Sequence, residues 1–268
     1  MTSADTAFAA VVLSIYTALS VPTIYVTYRH GIKGWAFLGW GFLFIFCTLK
    51  IVGSALQISN PRSTGAAIVS SVGLSPLTLA LGGVLHEARH NLFDLTTQQV
   101  QWETIGYLIL HILVGAAIGP LAAGASNIPS DISSPSKLRS DYDMAGAGAV
   151  IMLLIVAGVF AKALTSRAGN DAQSQSTVPG RRRRQQLGGR LVSAVLVAAA
   201  FLAIRVIASV VYFFSRNQNL NPVGGNWAYH VCMYFLPELA AALVLLTAGL
   251  ATRGVTREKE VEGPVQLS

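Results

Sequence analysis

The sequence predicts an all-α membrane protein built as a bundle of seven transmembrane helices, and three observations lead to this class. Of the 268 residues, 53% are hydrophobic and only 12% are charged, about half the charged fraction of a typical soluble domain. The apolar residues form long continuous runs rather than an alternating pattern, which favours helices over strands. In hydrocarbon, every backbone polar group must be paired internally, so only helices and closed barrels can span the membrane.

Seven apolar stretches of roughly 20 residues are each long enough to cross ~30 Å of hydrocarbon. They cover residues 7–27, 35–57, 65–86, 104–125, 144–165, 190–214 and 228–251, within one transmembrane domain 1–252. The first stretch has no basic segment before it and no A-x-A-like cleavage site, so we expect a retained helix rather than a signal peptide. A polar tail, 253–268, follows the last stretch.

The distribution of lysine and arginine predicts the orientation. With the N-terminus outside, the cytoplasmic segments hold twelve Lys and Arg residues and the exterior segments hold four. Cytoplasmic loops of membrane proteins carry the excess of basic residues. We therefore expect an exterior N-terminus and a cytoplasmic C-terminus, in the plasma membrane or the endoplasmic reticulum.

The longest predicted cytoplasmic loop, 166–189, is rich in Ser, Gln, Gly and Arg and is predicted to be disordered. Its run Arg181–Arg184 indicates a topology anchor beside the membrane surface; the alternative is a binding partner, either anionic lipid headgroups or a signalling protein. The net charge of +7 does not indicate nucleic-acid binding. The basic residues lie between apolar runs, whereas a nucleic-acid surface needs basic and aromatic residues together on a folded face.

Three ionisable residues lie deep within predicted spans, where such groups are costly and often functional. Lys50 and Arg205 lie roughly 22 Å from the cytoplasmic edge and Glu238 roughly 15 Å from the exterior edge, at 1.5 Å per residue. In a ~30 Å core, Glu238 is therefore expected near the bilayer midplane, within ~7 Å in depth of Lys50 and Arg205. The cluster could be an ion pair that fixes helix packing. Alternatively, two cations facing one carboxylate could bind an acidic or polar lipid-like ligand, or Lys50 could extend toward the interface.

Residues 86–90 spell H-E-x-x-H. On a helix this spacing puts His86 and His90 on one face, where they could hold Zn²⁺ with Glu87 as a general base. A third ligand would come from His111, Glu103 or Asp94. However, no extended zinc-protease signature follows the motif, and it lies where span 3 leaves the membrane. A polar helix end is therefore the favoured interpretation, with no cofactor expected and zinc as the alternative.

Four strings resemble a fungal family of seven-helix integral membrane proteins of unknown function: RHGIKGWAFL, LKIVGSALQISNPRST, SVGLSPLTLALGGVLHEAR and NLNPVGGNWAYHV with the following PELAAALVLLTAGL. The likeness covers the spans and is poorest around 166–189. The family is similar, more distantly, to fungal lipid-translocating exporter and lipid-stress proteins. It usually carries Arg where this chain has Lys50, so a cation is kept but bidentate pairing is not implied.

Two functions from different classes are compatible with this sequence. The favoured one is a non-enzymatic, receptor-like or transport-related bundle that binds a small lipophilic or anionic molecule between its helices. The alternative is a small membrane enzyme, a cyclase, isomerase or hydrolase acting on a lipid or terpenoid, with Glu238 or Glu103 as the acid. A neighbouring cation favours the charged form of a carboxyl group, which argues against Glu238 as a proton donor.

Overall fold

The computed structural model describes residues 3–30, 35–59, 69, 72–93, 96–127, 135–173, 179–221 and 226–252. These residues contain no strand, which confirms the predicted all-α class. Besides a short 3-10 helix, Gln218–Leu220, the described residues form seven longer helices in chain order: α1 (Ser3–His30), α2 (Trp35–Ser59), α3 (Leu74–Leu92), α4 (Thr97–Asn127), α5 (Pro135–Gln173), α6 (Pro179–Ser215) and α7 (Trp227–Thr252).

Six of these helices, all except α3, are long and apolar enough to cross a membrane. The chain is therefore compatible with a multi-pass membrane protein. Helix α3 differs because 14 of its 19 residues are buried against other helices. The six longer helices instead expose large apolar side chains on the outside of the bundle. The count of seven spans and the orientation in the membrane stay predictions.

Each helix packs against its neighbours in the chain, α7 returns to α1, and α3 also packs on α6 across the bundle. Contacts near the helix ends show that successive helices alternate in direction. His30 of α1 meets Glu87 of α3 and Gly249 of α7 at one end of the bundle, the His30 end. Phe8 of α1 meets Trp227 of α7 at the opposite end, the Trp227 end.

A close backbone contact joins α2 to α3. A methyl group on Gly39 would lie 2.8 Å from the backbone carbonyl carbon of Gly83, so these two helices can only meet at glycine. Trp40 and Phe46, fully buried, follow this contact along α2. The close approach places the start of α2 against the middle of α3.

Three predicted boundaries need correction. The predicted disordered loop 166–189 is helical over 166–173 and 179–189, because α5 and α6 extend into it. Ala, Gln, Arg and Leu in these segments are good helix formers, so the transmembrane helices continue past the apolar runs. Helix α3 continues to Leu92, beyond the predicted end at 86, and α5 already begins at Pro135. The start of the third predicted span, at 65, lies outside the described residues.

Helix α7 contains a π-helical segment, His230–Phe235, just before Pro237 and Glu238. In this segment the Leu236 N–H bonds the carbonyl of Val231, five residues earlier. Proline has no N–H with which to continue the ordinary pattern, and the widened turn accommodates this. Such π segments are frequent at functional sites. Here the segment sets the rotation of the helix at Glu238.

Candidate functional site

The structure brings Lys50, Arg205 and Glu238 together, and we call these three residues the core cluster. Glu238 on α7 accepts a hydrogen bond of 2.8 Å from Arg205 Nε on α6 through Oε1. Its other oxygen, Oε2, pairs with the Lys50 ammonium on α2. Glu238 and Arg205 are 1% and 4% exposed. One carboxylate therefore ties three helices together in the interior.

Neighbouring side chains hold the Arg205 guanidinium in place. Arg205 Nη1 donates to the Ser209 hydroxyl one turn along α6. The guanidinium carbon also lies 4.3 Å from the ring centroid of Tyr234, a cation–π geometry. A second aromatic ring, that of Phe46, has its centroid 5.6 Å from the Lys50 ammonium nitrogen.

A cavity of about 70 Å³ opens beside the core cluster. Its walls include all three charged residues together with Ser54 and Gln57 of α2. The cluster carries two cations and one carboxylate, a formal charge of +1. A space of this size and charge suits a small anionic group rather than a hydrocarbon chain.

The H-E-x-x-H segment lies toward the C-terminal end of α3 and contacts neighbouring helices. Glu87 accepts a 2.7 Å bond from Trp40 Nε1 through Oε2, and its Oε1 lies 2.8 Å from His30 Nδ1. The other ring nitrogen of His30, Nε2, lies 3.0 Å from the carbonyl oxygen of Gly249. This network joins α1, α2, α3 and α7 at the His30 end and occupies both oxygens of the proposed general base.

The histidines of the motif contact aromatic rings on α4. His86 and His90 lie 4.6 Å apart between ring centroids, and His86 stacks on Tyr107 at 5.7 Å. His111 Nδ1 lies 2.8 Å from the backbone oxygen of Tyr107. Among the described residues, no three His, Cys, Asp or Glu side chains are grouped closely enough to hold a metal ion. The remaining proposed ligand, Asp94, lies outside those residues.

A second ion network, here called the mouth cluster, consists of Arg89, Glu103 and Lys162. Glu103 on α4 lies 3.0 Å from Arg89 Nη2 on α3 and accepts a 2.8 Å bond from Lys162 Nζ on α5. Arg89 Nη1 also donates to the Ser166 hydroxyl at 2.6 Å. The Lys162 side chain is 43% exposed. The mouth cluster thus repeats the two-cation, one-carboxylate composition of the core cluster nearer the surface.

The mouth cluster forms one end of a cavity of about 410 Å³ between α3, α4 and α5, which we call the lateral cavity. The rest of its wall is almost entirely apolar, including Ile109, Leu113 and Leu154. These three side chains are 44–67% exposed on the outer surface of the bundle. The wall therefore continues onto the surface that α4 and α5 would present to lipid.

The sequence pattern did not predict the lateral cavity. The sequence indicated only the polar end of the cavity, through Glu103 and Lys162. Each lies at the end of an apolar run, and these two ends meet at the His30 end of the bundle. The cavity itself depends on Gly106 and Gly158, where an added methyl group would meet no other atom within 4 Å. Whether a glycine lines a cavity or a helix contact depends on helix rotation, which hydropathy does not determine.

Comparison with known families gives one match, over residues 3–255, to a domain of unknown function named DUF7702. The matched region contains both clusters and the lateral cavity. No curated protein and no solved structure matches the chain. Since the family match covers nearly the whole sequence, the chain belongs to the DUF7702 family.

Proposed function

We propose that this multi-pass membrane protein binds a small amphipathic molecule in the lateral cavity, with its polar end at the mouth cluster. The observation that carries the proposal is the cavity of about 410 Å³, which is polar at one end and apolar along the rest of its wall. Ligand sites in proteins have similar volumes and are largely apolar, with a few polar groups that orient the ligand.

The charges of the mouth cluster indicate the polar end of the ligand. Arg89 and Lys162 face one carboxylate, Glu103, so the cluster has a surplus positive charge. An acidic group or a strong hydrogen-bond acceptor would complement this charge. An aliphatic or terpenoid chain would fill the space between α4 and α5. Because the wall is continuous with the outer surface, the ligand would enter sideways from the bilayer.

The fungal family that this sequence resembles is itself distantly similar to lipid-translocating exporter and lipid-stress proteins, which is consistent with a ligand of this kind. The enzyme alternative would use Glu103, the one carboxylate lining the cavity among the described residues. Glu103 is paired with two cations, which favours its ionised form over a proton donor. We therefore propose binding rather than catalysis.

The test is mass spectrometry of molecules that copurify with the full-length protein. Replacing Gly106 and Gly158 by leucine adds bulk to the cavity wall at two positions where an added methyl group meets nothing within 4 Å. The matched control replaces Gly115 and Gly119, where an added methyl group likewise meets nothing within 4 Å but which do not line the cavity. We expect an amphipathic species enriched over bulk lipid in the wild type and the control, and at least a tenfold loss in the cavity variant.

Two results would contradict the proposal. One is a wild-type extract whose composition matches the surrounding lipid. The other is equal retention of the enriched species by the cavity variant. Conversion of that species into a product by the wild type, abolished by Glu103→Gln, would favour the membrane enzyme.

A further inference from the structure

We propose that the core cluster is a binding site for one small monovalent anion, either a halide ion or the carboxylate of an organic molecule. This site is separate from the lateral cavity and does not depend on the function proposed there. The observation that points to it is a surplus cation in the interior beside a cavity of about 70 Å³ lined by Lys50, Arg205 and Glu238.

The charge balance is the first step. Lys50 and Arg205 share the single carboxylate of Glu238, and the described part of the chain gives neither cation another carboxylate. The side chains of Arg205 and Glu238 are 5% and 2% exposed, and that of Lys50 is 17% exposed where it borders the cavity. An uncompensated charge is strongly unfavourable in such an environment. A bound monovalent anion would make the cluster neutral.

The second step is the supply of hydrogen-bond donors. Arg205 uses Nε toward Glu238 and Nη1 toward Ser209, so Nη2 has no partner among the described residues. The Lys50 ammonium directs one of its three N–H groups to Glu238. The amide of Gln57 lines the same cavity. Donors on α2 and α6 thus converge on a space next to the carboxylate.

The third step is selectivity by size. The core cavity is several times smaller than the lateral cavity, at about 70 against 410 Å³. It has room for a chloride ion or a carboxylate group but not for an acyl chain. The π-helical segment of α7 turns Glu238 toward the cations, so the anion would complete a site assembled from α2, α6 and α7.

The experiment measures thermal unfolding of the purified full-length protein in detergent, titrated with the sodium salt of chloride, formate or acetate against sodium HEPES, a bulky sulfonate, at constant ionic strength. We expect the wild-type Tm to rise as the anion saturates its site, by on the order of 5 °C at an anion concentration about a hundredfold above the Kd. Stabilisation by chloride identifies a halide site, and stabilisation by formate or acetate alone identifies the carboxylate of an organic ligand. Either result supports the proposal.

Variants provide the control. Lys50→Met leaves the neutral Arg205–Glu238 pair, so we expect its Tm not to respond to anions. Arg139→Met removes an exposed cation that lines neither cavity and should keep the wild-type response. Broadening of the ³⁵Cl resonance by the wild-type protein, or competition for it by formate, tests binding without any variant. A wild-type Tm that is independent of all three anions, or an unchanged response in Lys50→Met, would overturn the proposal.

Discussion

The core and mouth clusters contain the same charges in different surroundings. Each places two cations around one carboxylate and joins three helices. Glu238 and Arg205 are almost completely buried, whereas Lys162 is 43% exposed. Burial raises both the strength of an ion pair and the cost of breaking it. The same composition can therefore hold a bundle together at its centre and remain available to a ligand at its edge.

The largest expected effect distinguishes the two carboxylates. Glu238→Gln leaves the buried Arg205 and the partly buried Lys50 without a counter-charge and should destabilise the protein by about 3–5 kcal/mol. Glu103→Gln removes the equivalent charge beside a more exposed lysine and should cost about 1 kcal/mol or less. Thermal unfolding in detergent measures both. Equal losses of stability would show that the two clusters do not differ in the way that their burial implies.

Two glycines of α5 should give the next largest difference in stability, because one packs tightly against α4 and the other lines the lateral cavity. A methyl group on Gly148 would lie 2.6 Å from the backbone oxygen of Ala117, while one on Gly158 would meet nothing within 4 Å. Gly148→Ala should therefore cost about 1–3 kcal/mol through overpacking. Gly158→Ala should stabilise the helix by about 0.5–1 kcal/mol. Similar changes in Tm for these two variants would contradict an open lateral cavity.

Lys162→Met tests the mouth cluster with a smaller effect on stability. Because Lys162 is half-exposed and Arg89 remains paired with Glu103, we expect a loss below about 1 kcal/mol. Under the proposed function, retention of the copurifying amphipathic molecule should fall several-fold, as measured by mass spectrometry. A variant that loses stability and keeps the ligand would assign the mouth cluster a purely structural role.

The smallest expected effect on stability concerns an exposed ion pair. Arg216 Nη2 lies 3.0 Å from Asp143 Oδ1, and both side chains are exposed. Asp143→Asn should change stability by at most about 0.5 kcal/mol. Comparison of its loss of stability with that of Glu238→Gln shows how strongly the cost of removing a charge depends on burial. A large loss of stability would indicate that this end of the bundle is less accessible to water than its exposure suggests.

The core cluster was predictable from sequence because charges are rare inside apolar runs. Lys50, Arg205 and Glu238 stand out in their spans, and the rise per residue places them at similar depths. Pairing follows because an unpaired charge would be too costly. Ser209 and Tyr234 could not be assigned in this way, since serine and tyrosine occur throughout the chain and only helix rotation selects these two.

The H-E-x-x-H motif shows the opposite case. The sequence of the motif suggests a zinc site. In the structure, however, Glu87 accepts a hydrogen bond from Trp40 and lies beside His30, which are 47 and 57 positions away in the chain. Trp40 looks like an ordinary apolar residue of span 2, and His30 like the polar end of span 1. Their convergence depends on contact between α1, α2 and α3, which a local motif does not encode.

The sequence by itself determined that the chain is a set of apolar helices and that the charges within them must pair, because hydrocarbon leaves backbone and side-chain polar groups no other partners. Tertiary structure decided which faces of the helices meet, and this placed α3 at the centre, Glu87 beside Trp40 and the open glycines along a cavity. The physical reason is that insertion into a bilayer depends on how apolar a segment is as a whole, whereas helix rotation and tilt depend on the shapes of side chains from distant parts of the chain.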